Sequence, residues 1–226
     1  MSTFGEIVEP GSRNAWEDWD ENHSGQTADL KWQKDAPPPE KFQTLLLLEG
    51  RYLADSIKNQ TELKLELINS IPEVNLRLYR TDSSDYVCVL KDYNLLHSSE
   101  IVELLKKYVL LCQDVVAIIT KPLVDYQIQE LLTQAYVLRS LATSEPLTKP
   151  LNVKFPKLEQ PNIISGVSAG VLSLREHMNQ SGLAVICYIE HPEEYKIDEL
   201  QQLLEKMNVI TLESKANNVL NSNLYI

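Results

Sequence analysis

The stretch that decides the fold is Ser165–Ile189, SGVSAGVLSLREHMNQSGLAVICYI, in which a helix pattern leads directly into a strand pattern. Its first part places apolar residues at helical spacing, namely Val167, Val171, Leu174 and Met178. Ser181-Gly182 then ends the helix, because glycine tolerates the left-handed backbone with which many helices finish. Leu183–Ile189 carries no charge, which predicts a central strand buried on both faces of a sheet. A helix that returns to such a strand is typical of an α/β fold.

Apolar strands and amphipathic helices alternate over most of the chain. Thr44–Leu48 and Val115–Ile119 are short apolar runs that predict further buried strands. The other predicted strands are 63–67, 74–78, 86–90 and 209–212, and the other predicted helices are 50–60, 98–112, 128–138 and 197–207. Residues 143–161 contain four prolines and predict a long connecting loop. We therefore predict an α/β protein with a single domain over residues 42–215, built on a mixed or mostly parallel sheet flanked by helices.

Two tails are expected beside this domain. Residues 1–41 hold nine acidic and four basic residues without hydrophobic periodicity. They predict an acidic disordered tail that ends in a proline-rich linker at Pro37–Pro39. Trp16 and Trp19 lie in this tail, either within a plain acidic leader or as a short motif that binds a partner, which would make the protein an adaptor. Residues 216–226 predict an extended C-terminal tail with a hydrophobic-Tyr-X ending.

The composition excludes several classes of function. The chain has 226 residues and a net charge of −11, which disfavours nucleic acids and anionic membrane surfaces as partners. No apolar run approaches the ~20 residues of a membrane span, and the N-terminus lacks the features of a secretion signal. The three cysteines stand in apolar surroundings without CxxC spacing, as buried thiols do in a reducing compartment. We expect a cytoplasmic or nuclear protein.

Catalytic and cofactor motifs are absent from the sequence. We find no GxGxxG, GxxxxGK[ST] or GxSxG, and the four histidines lack partners at metal-ligand spacing. We therefore expect no enzyme activity, no cofactor and no metal. The segment Gly166–Gly170 has two interpretations: its small residues allow close helix packing, which we favour, or its free N–H groups bind an anion. The second leaves an alternative function, an α/β enzyme that binds a phosphate-containing small molecule at this helix start.

The chain ends on Leu224, Tyr225 and Ile226, after a polar run. An apolar side chain, a phenol that can donate a hydrogen bond and an ionised terminal carboxylate suit insertion into a pocket of another protein. Capture of a terminal carboxylate is a recurring mode of peptide recognition. These three residues are the predicted partner-binding site.

Several segments resemble the family of proteasome assembly chaperone 1. They are Leu158–Ile163, Ala169–Ser173 and Ala184–Tyr188, together with the two ends of the chain, Thr3–Glu6 and Asn223–Ile226. The resemblance implies a chaperone without enzyme activity that forms a heterodimer with a related α/β subunit, proteasome assembly chaperone 2. It also implies that the heterodimer binds the proteasome α-subunits, promotes assembly of the α-ring and blocks off-pathway association. In this family a hydrophobic-Tyr-X motif enters a pocket between α-subunits, a role that falls here on Leu224, Tyr225 and Ile226.

Overall fold

Four consecutive leucines, Leu45–Leu48, form the centre of the first strand and are at most 2% exposed. The computed structural model describes residues 30–35, 40–58, 65–127, 135–149, 151, 154–190 and 198–206. The chain forms two units, Met1–Leu30 and Lys31–Ile226, and the account below concerns the second. Among the described residues, no helix is long and apolar enough to span a membrane.

Seven strands, four α-helices and three short 3₁₀ helices make up the regular structure in the described part of this unit. The strands are β1 (Phe42–Glu49), β2 (Glu66–Ile71), β3 (Leu76–Arg80), β4 (Tyr86–Leu90), β5 (Cys112–Pro122), β6 (Tyr136–Ala142) and β7 (Gly182–Ile189). The helices are α1 (Arg51–Lys58), α2 (Ser98–Val109), α3 (Val167–His177) and α4 (Asp198–Lys206).

The strands form one mixed sheet in the order β2-β3-β4-β1-β5-β7-β6. Its centre is parallel, because β1 pairs with β4 and β5 in the same direction and β5 does so with β7. The flanks are antiparallel, through β2 and β3 on one side and β6 on the other. The prediction of an α/β domain with a mixed sheet is therefore confirmed, and so are the central strands on which it rested.

Helices cover both faces of the sheet. Leu46 and Leu48 face one side, where they join a buried cluster with the apolar residues of α1 and α4. Leu45 and Leu47 point to the opposite side, because successive side chains of a strand alternate between faces. Glu49 shares that side and contacts α3 there, and α2 packs against α3. The all-apolar strands are thus buried on both faces, as expected for the parallel centre of a sheet.

The predicted helix over 128–138 is wrong at its end, because Tyr136–Ala142 is a strand. Leu138, which belongs to the predicted helix, pairs with Cys187 of β7. Pairing with a strand already in the sheet outweighs a short helical spacing of leucines, which is a local signal only. Residues 128–134 lie outside the described part of the chain, as do the predicted strand 209–212, both tryptophans Trp16 and Trp19, and Pro37–Pro39.

The outer edge of β2 is covered by residues that precede the predicted domain boundary. The Gln33 N–H donates to the Ser70 carbonyl (3.0 Å). The Asn69 side chain accepts from the Lys34 N–H (3.0 Å) and donates to the Lys34 carbonyl (2.7 Å). Trp32 lies beside α2 and donates its indole N–H to the Leu104 carbonyl (3.4 Å). The Gln33 contact satisfies a backbone carbonyl that an open edge strand would offer to other chains.

The β6 edge is covered in the same way by the predicted loop. The Ser140 N–H donates to the Pro156 carbonyl (2.8 Å), and the Leu158 N–H donates to the Ser140 carbonyl (2.8 Å). The loop that we predicted over 143–161 therefore has a structural role, since it closes the second edge of the sheet.

Candidate functional site

The predicted partner-binding residues Leu224, Tyr225 and Ile226 lie outside the described residues. Their role therefore stays a prediction. The described part of the chain offers a second region where function is expected, the carboxyl edge of the parallel strands.

The carboxyl ends of the parallel strands lie at one edge of the sheet, where β5 and β7 extend three residues beyond β1. Glu49 at the end of β1 is in register with Leu90 of β4 and Ile119 of β5, and Pro122 pairs with Ile189 of β7. The loops that follow these strands enclose a cleft of about 580 Å³. In open α/β sheets, ligands bind at this edge, which makes the cleft a candidate small-molecule site.

The floor of the cleft is built on a buried carboxylate, that of Glu49, which is 8% exposed. Its Oε2 accepts hydrogen bonds from the N–H (2.8 Å) and from the hydroxyl of Ser168, in the first turn of α3. Its Oε1 accepts from the Tyr93 hydroxyl. The Tyr93 oxygen in turn accepts from the Val167 N–H (2.8 Å). The first free N–H groups of α3 are therefore paired with groups of this chain.

Tyr93 is held in its protonated form. Burial raises the pKa of its phenol well above the ordinary value, and the charge of Glu49 raises it further. A neutral phenol donates to the carboxylate and accepts from the helix, so that it joins the two. The Glu49–Tyr93–Ser168 cluster is a closed hydrogen-bond network.

This cluster removes the site of the alternative enzyme hypothesis. That hypothesis requires a phosphate on the N–H groups at the start of α3. In the structure, the Glu49 carboxylate occupies this position. Gly166 has φ of +88°, and a Cβ there would stand 2.4 Å from Glu49 Oε1 and 2.5 Å from the Tyr93 oxygen. At Gly170 a Cβ would stand 2.8 Å from Val102 Cγ2 of α2, which agrees with the close-packing interpretation.

Two loops at the carboxyl edge are joined by an ionic cluster. Glu159 accepts from Arg139 at Nε (2.8 Å) and Nη2 (3.2 Å), and from the Tyr126 hydroxyl. The hydrogen bond from Arg139 is the main reason why the pKa of Glu159 falls to about 2. Gln127 and Asn162 add two reciprocal bonds of 2.8 and 2.9 Å. The loop after β5 and the segment before α3 are thus fixed to each other.

The loops at the carboxyl edge, including the one after β4, expose apolar side chains. Leu95 is 59% exposed, Leu96 83%, Val124 89% and Ile163 77%, and we call these four residues the carboxyl-edge patch. Leu95 lines the cleft together with Asp125, which follows Val124, and Ser165, which lies two residues after Ile163. Sequence reasoning missed the patch, because an apolar residue in a loop carries no signal that separates a buried position from an exposed one.

The histidines and cysteines form no metal-binding group among the described residues. No set of three or more His, Cys, Asp or Glu side chains that could hold a metal ion occurs there. Cys88 and Cys112 are buried, and burial raises the pKa of Cys112 to about 11. Nδ1 of His97 lies 3.4 Å from Glu100, within one helix entry.

Comparison with known proteins identifies solved structures that share the fold of this chain. No family model and no curated protein matches the sequence. Among solved structures, Pyrococcus furiosus PbaA, an archaeal homolog of proteasome-assembly chaperone, superposes with a TM-score of 0.56 at 11% identity, over 82% of this chain and 88% of PbaA. A Corynebacterium glutamicum protein of unknown function gives a TM-score of 0.50 at 13% identity, over 80% of this chain and 83% of its own. The chain therefore shares its α/β fold with an archaeal homolog of proteasome-assembly chaperone.

Proposed function

We propose that this chain is a proteasome assembly chaperone that scaffolds assembly of the proteasome α-ring. The observation that carries the proposal is the fold shared with PbaA over 82% of the chain. Fold alone does not define function, so the sequence resemblance is the second support. The segment 158–163, which resembles the chaperone 1 family, is the one that Arg139 and Tyr126 fix at the carboxyl edge.

The proposed partners are proteasome assembly chaperone 2, as a heterodimer, and the proteasome α-subunits. The net charge of −11 favours partner surfaces that carry lysine or arginine. The filled helix start of α3 supports a binding role over catalysis, because the anion site of the enzyme alternative is occupied by Glu49. We place the protein in the cytoplasm or nucleus, as its sequence predicts.

In this proposal the C-terminal residues enter a pocket between adjacent α-subunits. Leu224 and Ile226 supply apolar surface, Tyr225 a directed hydrogen bond, and the terminal carboxylate an ion pair. One buried apolar side chain contributes roughly 1.5–3 kcal/mol, and a charge-assisted hydrogen bond about as much. After the cost of association, such a tail alone binds at about millimolar affinity. The folded domain therefore supplies most of the affinity, and the tail sets the register on the ring.

The test is a pull-down from cell extract with the tagged full chain and with a variant that lacks Leu224, Tyr225 and Ile226, read by mass spectrometry. The full chain should capture α-subunits and a second α/β chaperone. The truncated chain should keep the second chaperone and lose most of the α-subunits. Substitution of Asn221 and Ser222 by alanine is the matched control, since it alters the tail but leaves the motif.

A second variant separates the carboxylate from the side chains. One glycine added after Ile226 keeps all three side chains and moves the charge by one residue, so capture of α-subunits should fall nearly as far as in the truncation. Absence of proteasome subunits from every pull-down, the full chain included, would refute the proposed function.

A further inference from the structure

Residues 31–35, which we call the strap, lie against the outer edge of β2 and against α2, but little of the strap is buried. Trp32 is half-buried, and the other four residues are exposed. Among the described residues, one backbone–backbone hydrogen bond joins the strap to β2, from the Gln33 N–H to the Ser70 carbonyl (3.0 Å). A segment with few buried apolar contacts and exposed hydrogen bonds opens locally at low cost. These features favour detachment of the strap from an intact sheet.

A buried amide holds the backbone of the strap. Asn69 is 1% exposed, and its side chain accepts from the Lys34 N–H (3.0 Å) and donates to the Lys34 carbonyl (2.7 Å). The register of β2 against β3 shifts directly before Asn69, and such bulges re-aim side chains. Because both bonds go to backbone groups of one residue, they recognise a peptide whatever side chain that residue carries.

A second contact recognises a side chain. Leu104, Lys107 and Tyr108 lie at positions i, i+3 and i+4 of α2 and therefore on one face of the helix. The Trp32 indole N–H donates to the Leu104 carbonyl (3.4 Å), and its ring meets Tyr108 edge to face, with centroids 6.0 Å apart. The Lys107 ammonium lies 5.8 Å from the centroid of the Trp32 ring. Cation–π attraction is strongest for tryptophan, so this face of α2, which we call the tryptophan slot, selects that residue.

Backbone bonds that supply affinity, together with a slot for one side chain, are the two parts of a peptide-recognition site. In this chain Asn69 and Ser70 provide the first part and the tryptophan slot provides the second. The two parts are spaced for a tryptophan two residues before the residue whose backbone is held, as Trp32 stands before Lys34.

We propose that Asn69, Ser70 and the tryptophan slot form a peptide-binding site, that the strap occupies this site as an internal ligand, and that the strap leaves it while the domain stays folded. The ligand class is a short peptide with tryptophan two residues before the position held by Asn69. Departure of the strap uncovers the Asn69 amide and the Ser70 carbonyl at the edge of β2. The inference is separate from the proposed function, because it involves only residues of this chain.

Binding of an added peptide tests the site. The probe is a synthetic peptide of residues 31–35 with blocked ends, and the receptor is the full chain with Trp32→Ala, in which the slot is empty. Two-dimensional NMR of the ¹⁵N-labelled chain should show saturable shifts of the Asn69 side-chain amide and the Ser70 amide. We expect about millimolar affinity, because few groups make contact. A peptide with alanine in place of tryptophan should bind at least about fivefold more weakly.

Variants of the receptor assign the two parts of the site. Asn69→Ala should weaken peptide binding about tenfold, because it removes both bonds to the peptide backbone. Lys107→Gln should weaken it about threefold through loss of the cation–π contact. Lys106→Gln is the matched control, since Lys106 pairs with Glu103 (2.9 Å), and it should leave binding unchanged. Circular dichroism verifies folding, and Lys107→Gln alone carries this test if Asn69→Ala does not fold.

Hydrogen exchange in the wild-type full chain tests release of the strap. The Gln33 and Lys34 amides should exchange at least about a hundredfold faster than those of Leu46 and Leu48 in β1, with little dependence on dilute urea, as local opening requires. Trp32→Ala should accelerate exchange at Gln33 and Lys34 and leave β1 unchanged.

Two results would overturn the peptide site: no shift at Asn69 with millimolar peptide, or equal affinity for the tryptophan and alanine peptides. Exchange of the Gln33 and Lys34 amides as slow as that of β1 would overturn release, because the strap would then open only when the whole domain unfolds.

Discussion

Glu49 and Ser168 are 119 residues apart in the sequence, and the carboxylate of the first accepts two hydrogen bonds from the second. The contact joins the carboxyl end of β1 to the first turn of α3. Because the N–H groups at a helix start carry partial positive charge, a carboxylate is stabilised there. A buried acid of the chain itself thus takes the place that an external anion holds in phosphate-binding α/β proteins.

Glu49→Ala should lower the free energy of unfolding by about 1–3 kcal/mol, because it leaves the Ser168 groups and the Tyr93 hydroxyl without their acceptor. Urea denaturation followed by circular dichroism measures the loss. Glu103→Ala is the control, since Glu103 is 70% exposed on α2, and it should change stability by less than about 0.5 kcal/mol. Equal stability of the two variants would show that the carboxylate does not support α3.

Gly166→Ala should also destabilise the protein, by about 1–3 kcal/mol for the backbone strain alone. Gly170→Ala meets only the Val102 side chain, which can be shortened. In double-mutant cycles with Val102→Ala, the loss at Gly170 should be partly recovered and the loss at Gly166 should not. Recovery at neither position would mean that the contact with Val102 does not limit the residue at Gly170.

The central strands could be predicted from the sequence because burial on both faces makes them apolar throughout. The apolar runs at Leu45–Leu48 and Val115–Ile119 contain no polar residue that would mark a helical or an alternating pattern. Both lie in the parallel centre of the sheet. Strand β6 could not be predicted in this way. It lies at the edge of the sheet, it includes Arg139, and its partner β7 is more than 40 residues away in the sequence.

Only part of the site at the carboxyl edge could be predicted from the sequence. Small residues at Gly166 and Gly170 marked the start of α3, but nothing local indicates that Glu49 fills it, since the contact depends on the finished sheet. The same holds for the patch, because the exposure of Leu96 and Val124 is set by the loops around them.

Arg175→Met should cost at least about 3 kcal/mol of stability, because it leaves several buried carbonyls without a donor. Arg175 is 0% exposed. Its guanidinium donates to four backbone carbonyls, those of Val109, Cys112, Gln113 and Ser181. Urea denaturation measures the effect, with Arg77→Met on the exposed side of β3 as the control. Arg175→Lys should recover little, since one ammonium cannot reach all four oxygens; full recovery would show that charge alone is needed.

The Glu159–Arg139 pair should make stability depend on pH below the ordinary titration range of glutamate. The pKa of Glu159 is about 2 in the folded protein, against an ordinary value of 4.5. As pH falls, Glu159 therefore binds a proton in the unfolded chain before it does so in the folded protein. The pair thus stabilises the folded state fully above pH about 4.5, and this contribution is lost as pH falls to about 2. Urea denaturation across this pH range should show that the free energies of unfolding of the wild type and of Glu159→Gln converge at low pH. In an Arg139→Met background, the difference in free energy of unfolding between the chain with Glu159 and its Glu159→Gln variant should vary much less with pH. The reason is that the hydrogen bond from Arg139 is the largest cause of the lowered pKa of Glu159. An unchanged pH dependence in that background would assign the shift to Tyr126 instead.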